Sequence, residues 1–256
     1  MHTDTSERKS TNWIFFDLDD TLWDFSFNSS LALGYMYSTF EIIAQLFPEE
    51  KSFTDKYHTI NLALWDKFSK GEVNSDELRR ERWRATLFPD RQDSAVLELC
   101  DNLDTEYLRK LAQFPNLLEG AELLLSKLTK KVLVGILSNG FPETQYAKVM
   151  NSGLWKYITR LIASGEISIN KPDKKIFAYA ESETGARNPI MVGDHIETDV
   201  IGALNAGWHA IWFNPRQLPV PSEISSVIEN YSKTGLFLGE TSSLKETGEI
   251  IERFLS

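Results

Sequence analysis

The chain has 256 residues, of which 42% are hydrophobic and 25% charged; this is the composition of a folded globular protein and excludes intrinsic disorder. Its formal net charge of −10, with no local concentration of Lys and Arg, argues against a nucleic-acid polymer or an anionic membrane surface as partner. The only cysteine, Cys100, cannot form an internal disulfide, a zinc knuckle or a dithiol motif, and fits a reducing, cytoplasmic location.

The first dozen residues, MHTDTSERKSTN, are polar and lack the apolar core of a secretory signal. No apolar run approaches the roughly 20 residues of a membrane span. The first structured signal is WIFF, an apolar run that reads as a buried strand and stops abruptly at Asp17. Asp17, Asp19 and Asp20 then stand almost side by side, where their charges repel. In extended chain, residues two apart face the same side, so Asp17 and Asp19 can reach one cavity while Leu18 turns away. Asp20 reads as a turn or capping residue.

From about Asn28 to Pro115 no comparable strand run occurs. SLALGYMYSTFEIIAQLF, YHTINLALWDKFSK, SDELRRERWRATLF and SAVLELCDNLDTEYLRKLAQF fit helical spacing, punctuated by Pro48, Gly71, Pro89 and Pro115. Tyr57, Trp65, Phe68 and Trp83 within this segment are expected to be core residues. Strand and helix signals then alternate. GAELLLSKLTKK reads as a helix, VLVGIL as a strand ending at Ser138-Asn139-Gly140, and YITRLIAS as a weaker strand. KPDKKIFAYAESE reads as a helix opening at Lys171, PIMVG as a strand ending at Asp194, and HAIWF as a strand ending at Asn214. Apolar strands alternating with amphipathic helices predict an α/β fold, a doubly wound parallel sheet. The expected division is an α/β core, residues 1–21 and 116–256, and an inserted all-helical domain, residues 22–115.

In such a sheet ligands bind beyond the carboxyl ends of the strands. Every polar cluster of interest falls there: Asp17 and Asp19, then Ser138 and Asn139, then Lys171 before its helix, then Asp194 and Asp199. Each alone has a bland reading as a cap, a loop or a solvated lysine. Their order, their placement and their complementary charges are specific when taken together. His195, beside Asp194, is expected to be a loop residue at the rim.

These motifs, Asp17-x-Asp19-x-Thr21, Ser138, Lys171, and Asp194 with Asp199, resemble those of the haloacid dehalogenase (HAD) superfamily. The resemblance covers nearly the whole chain and extends to the helical insertion, which looks like the cap of one branch. It implies a Mg²⁺-dependent phosphatase that works through an aspartyl phosphate on Asp17, with Asp19 as general acid and base. Asp17, Asp194 and the backbone carbonyl of Asp19 are the implied metal ligands. Asp199 stands behind them, and Ser138, Asn139 and Lys171 bind the phosphoryl group. Dehalogenases of the superfamily lack a carboxylate at the position of Asp19, so phosphoryl chemistry is favoured.

DLDDTLWDFSFNS, NKPDKKIF and GDHIETDVIGALNAGWHAIWFNP look most like the pyrimidine 5'-nucleotidase group, which implies a small phosphorylated metabolite, a nucleoside 5'-monophosphate, as substrate. Phosphoglycolate and sugar-phosphate phosphatases and phosphomutases share the motifs and stay open. So do a ligand-sensing module on the same fold and the choice between monomer and homodimer.

Overall fold

A computed structural model describes residues 12–256; the polar amino-terminal stretch, apart from Asn12, lies outside the described residues. Six strands form one all-parallel sheet: β1 (Trp13–Phe16), β2 (Leu133–Ser138), β3 (Arg160–Ala163), β4 (Ile190–Gly193), β5 (His209–Phe213) and β6 (Phe237–Thr241), in the order β3-β2-β1-β4-β5-β6. The chain winds outward from β1 through β2 to β3, returns to β4 on the other side of β1, and winds outward again. This is the doubly wound α/β sheet expected. Its strand order reverses between β1 and β4, and a crevice therefore opens at their carboxyl ends.

Strand periodicity divides the core. Ile14, Phe16, Val134, Ile136, Val192 and Ile211 face one side and join one apolar cluster. Trp13, Phe15, Leu137, Ile162, Met191 and Trp212 face the other and join a second. Because both faces are covered, the inner strands are apolar throughout, which is why four of them were legible as bare runs.

Between β1 and β2 the chain makes α1 (Phe25–Thr39), α2 (Glu41–Leu46), α3 (Glu50–Ser69), α4 (Ser75–Leu87), α5 (Ser94–Leu111) and α6 (Ala121–Leu128). The segment read as one helical stretch from Ser30 to Phe47 is broken at Phe40, whose backbone is extended (φ −105, ψ 98). Neither Pro nor Gly marks that break. Helix starts follow their capping residues: Asp24 accepts the Phe27 N–H for α1, Asn74 and Glu77 form a capping box for α4, and Asp93 caps α5. Tyr57 and Trp83 are buried as expected, whereas Trp65 is only half-buried.

The chain enters and leaves the helical segment side by side. Asp24 N–H donates to Asn116 O and Leu118 N–H to Leu22 O, Asn28 Nδ2 donates to the backbone Asn116 O while Asn116 Nδ2 donates to Asn28 Oδ1, and Trp23 Nε1 donates to Phe114 O.

After β2 come α7 (Pro142–Asn151), α8 (Lys174–Thr184), a π-helical turn (Ile196–Ile201), α9 (Gly202–Asn205), α10 (Ser222–Thr234) and α11 (Leu244–Leu255). No described helix is long and apolar enough to cross a membrane. The edge strand β6 had no sequence signal: it is half-buried, holds Gly239 at φ 144, and meets β5 at a register irregularity.

Candidate active site

Asp17 is the first residue past β1, and its N–H donates to Val192 O of β4 at 2.8 Å, which fixes it at the switch point of the sheet. Asp194 follows β4 directly. Thr21 is fully buried, and its Oγ1 accepts the Asp194 N–H at 3.1 Å, tying the two strand ends together. Asp199 lies in the π-helical turn that follows β4, whose winding brings its carboxylate back over Gly193. Any side chain at Gly193 would collide with that carboxylate, so only glycine lets the two approach.

Lys171 lies at the centre. Its Nζ donates to Asp17 Oδ1 (2.7 Å), Asp199 Oδ1 (2.6 Å) and Leu137 O (2.7 Å), and the residue is buried. An ammonium has three protons, and all three are committed here. Lys171 therefore has no proton left to donate and offers the cavity only its charge and the carboxylates it holds. Asn139 departs from its expected place on the phosphate. Its Oδ1 accepts the Lys171 N–H (2.7 Å) and its Nδ2 donates to Lys171 O (2.8 Å), so its side chain clamps the lysine backbone instead.

The carboxylates of Asp17, Asp194 and Asp199 offer one oxygen each within 4.8 Å of one another. When all three are ionised they outnumber the charge of Lys171 by two. Burial is the main cause that lifts Asp17, opposed by Lys171 and reinforced by Asp199 and Asp19, to a pKa of about 7. Burial likewise raises Asp194 well above the carboxylate range, with Asp199, Asp17 and Asp20 adding and Arg216 opposing. Lys171 shifts upward too: burial works against its charge, but Asp17 and Asp199 outweigh it. An all-oxygen donor set two negative charges in excess fits one hard divalent cation.

Asp19 sits beside this cluster and is not part of it. Its carboxylate takes Lys148 Nζ at 2.7 and 2.9 Å and Gln145 Nε2 at 2.9 Å; Gln145 also donates to Ser138 Oγ at 2.7 Å. Both partners come from α7 and were missed in the sequence. Their only signal is helical spacing, three residues apart on the helix that follows Ser138. Asp20 has positive φ and accepts the Ser26 N–H and hydroxyl, as a capping residue does. His195 Nδ1 accepts the Thr198 N–H, and its backbone N–H donates to Asp199 Oδ2. It is an exposed loop residue at the rim of the cavity, as expected, and it caps the π-helical turn.

The strand ends form the floor of a cavity of 510 Å³. Its roof is a stripe of α3 at helical spacing, His58, Asn61, Leu62 and Trp65, joined by Arg82 of α4.

Sheet order, switch-point carboxylates and a buried lysine define an α/β fold with a charged site at the carboxyl ends of its strands. Residues 11–207 match the haloacid dehalogenase-like hydrolase family, and the chain belongs to that family. It is 33% identical to pyrimidine 5'-nucleotidase YjjG of Escherichia coli, over 84% of this chain and 91% of that protein. It is 28% identical to pyrimidine 5'-nucleotidase PynA of Streptococcus pneumoniae, over 86% and 91%. A magnesium-bound structure of the HAD-hydrolase YfnB from Bacillus subtilis superposes with a TM-score of 0.78 at 27% identity, covering 95% of this chain and all of that one.

Proposed function

We propose that the protein is a phosphatase that transfers a phosphoryl group from a small phosphomonoester, a nucleoside 5'-monophosphate, to Asp17 and then to water. The observation that carries this is the division of the two motif carboxylates. Asp17 lies in the cation cluster, whereas Asp19 lies outside it against Lys148, so one is placed to attack and the other to move protons.

In the first half-reaction an Asp17 oxygen attacks phosphorus in line with the leaving oxygen. Asp19 gives the leaving alkoxide its proton, and the alcohol departs. In the second, Asp19 takes a proton from water, whose oxygen attacks phosphorus and releases Asp17. Ser138 donates to a phosphoryl oxygen, and Lys171 offsets the charge of nucleophile and substrate while holding Asp17 and Asp199 in place. Asp17, Asp194 and the backbone carbonyl of Asp19 would hold a Mg²⁺ ion, with Asp199 behind them, and the bound ion would supply positive charge to the phosphoryl oxygens.

The inserted segment, residues 22–115, acts as a cap over this floor and keeps bulk water out. Similarity to two pyrimidine 5'-nucleotidases across most of each chain supports a nucleoside as the leaving group. Dehalogenation is the competing activity in the family, and the carboxylate at Asp19 opposes it because halide leaves without a proton. A single buried cysteine supports a reducing, cytoplasmic setting.

The test is phosphate release with Mg²⁺ over nucleoside monophosphates, sugar phosphates and phosphoglycolate, together with halide release from a haloacid. Turnover of the nucleotides ahead of the others is expected. Halide release without phosphate release would refute the reading, and isomerised sugar phosphate without free phosphate would mark a mutase.

A further inference from the structure

The roof of the cavity carries two polar groups that the phosphoryl chemistry does not use. Arg82 is 3% exposed and Asn61 6%, yet both line the cavity across from the catalytic carboxylates. Arg82 Nε donates to Asp104 Oδ1 at 2.7 Å, while Arg79 of the same helix takes Asp104 Oδ2 at 2.7 Å. Arg82 Nη2 lies 2.5 Å from the same Asp104 Oδ1, so the guanidinium is held in a buried ion pair that presents Nη1 towards Asn61.

The orientation of Asn61 follows from the same arginine. Arg82 Nη1 can only donate, and it lies 3.5 Å from Asn61 Oδ1, so the amide oxygen faces the guanidinium. That leaves Nδ2 as the end of Asn61 open to a ligand. Both groups offered to the cavity are therefore donors. Beside them Trp65 and Phe141 stand with ring centroids 5.8 Å apart, one from the roof and one from the loop after Ser138. Together they make an apolar wall against which a planar ring can lie.

We propose that Asn61 and Arg82 form the subsite for the nucleobase, walled by Trp65 and Phe141, and that it selects bases presenting carbonyl oxygens over bases presenting an amino group. The inference rests on the nucleotidase reading above and goes beyond it by assigning the residues and the order of preference. Uracil and thymine turn the O4 carbonyl to these donors, whereas cytosine and adenine carry an amino group at the matching position and set a donor against a donor.

The experiment compares kcat/KM for uridine 5'-monophosphate, cytidine 5'-monophosphate, ribose 5-phosphate and phosphoglycolate. It uses the wild type, Asn61→Ala and Trp65→Leu; Arg82 is left intact because its loss would strand Asp104. The wild type is expected to prefer the uridine nucleotide over the cytidine one by about 10-fold or more. In Asn61→Ala that preference should shrink, and the ratio of uridine 5'-monophosphate to ribose 5-phosphate should fall roughly 3- to 10-fold, the range for one buried hydrogen bond. Trp65→Leu should raise KM for both nucleotides and leave their ratio to each other in place.

Equal wild-type rates on the two nucleotides would overturn the assignment of donors alone. So would an Asn61→Ala loss as large on ribose 5-phosphate as on the uridine nucleotide, which would mark a structural role. A larger Asn61→Ala loss on phosphoglycolate would give these donors to a carboxylate instead. Wild-type turnover of ribose 5-phosphate with none of either nucleotide would overturn the nucleotidase reading and this subsite together.

Discussion

Lys148 Nζ lies 2.7 Å from Asp19 Oδ1 and 2.9 Å from Oδ2, so one buried ammonium brackets both oxygens of the carboxylate to which we assign proton transfer. The same Nζ sits 4.7 Å from the centre of the Trp23 ring and 5.6 Å from that of Phe25, where the chain enters the cap. Lys148 therefore positions Asp19 relative to the cap entrance. Lys148→Met should lower kcat by about 10- to 10²-fold with a smaller change in KM, because a misplaced proton donor slows chemistry more than binding. Lys148→Arg should recover part of the loss. Steady-state kinetics on variants with wild-type melting curves checks this, and a change confined to KM would refute it.

The two motif aspartates should separate in the first half-reaction. Asp17→Asn abolishes turnover and phosphoenzyme alike. Asp19→Asn cuts turnover by about 10²- to 10⁴-fold, the usual loss for acid and base catalysis. With an activated ester whose leaving group needs no proton, it should still phosphorylate itself on Asp17. Mass spectrometry of rapidly quenched protein reads the adduct; turnover by Asp17→Asn, or a label elsewhere, would show that Asp17 is not the nucleophile.

The carboxylate cluster predicts dependence on a small hard cation. Chelator should abolish activity and Mg²⁺ restore it, while Ca²⁺ restores little because its larger, more variable shell spaces the ligands wrongly. Metal titration should also raise the melting temperature by relieving the two excess negative charges. Full turnover in excess chelator would refute the assignment.

Asp104 is buried and holds two arginines, Arg79 and Arg82. Asp104→Ala leaves the nearly inaccessible Arg82 charge uncompensated, and a loss of about 3–5 kcal/mol is expected, the range for breaking one side of a buried pair. Denaturant unfolding measures it; a loss below ~1 kcal/mol would mean that the guanidinium finds water or another acceptor.

Cys100 is fully buried, and burial first of all, with Asp101 adding, pushes its thiol up to about 11. The unfolded thiol ionises near its ordinary value of 9.0, so the contribution to stability is complete below pH 9 and lost as pH rises towards 11. It amounts to about 3 kcal/mol at most. Cys100→Ala should flatten the alkaline fall in unfolding free energy, and native Cys100 should resist alkylation at pH 8. Rapid labelling of folded protein would refute this.

The sequence alone determined what local patterning can carry. Inner strands covered on both faces must be apolar, so WIFF, VLVGIL, PIMVG and HAIWF stood out, and with them the strand ends that carry Asp17, Ser138 and Asp194. The half-buried edge strand β6 and the break at Phe40 carry no such pattern and were silent. Tertiary structure decided what meets across long separations. Lys148 and Gln145 reach Asp19 over 129 and 126 residues, and Asn139 turns from the phosphate to the backbone of Lys171, 32 residues away. Asn61 and Arg82 become a pair of donors only because α3 and α4 pack against each other. Periodicity says which face of an element is buried; which charge lies opposite it depends on how the elements cross, and only the folded chain fixes that.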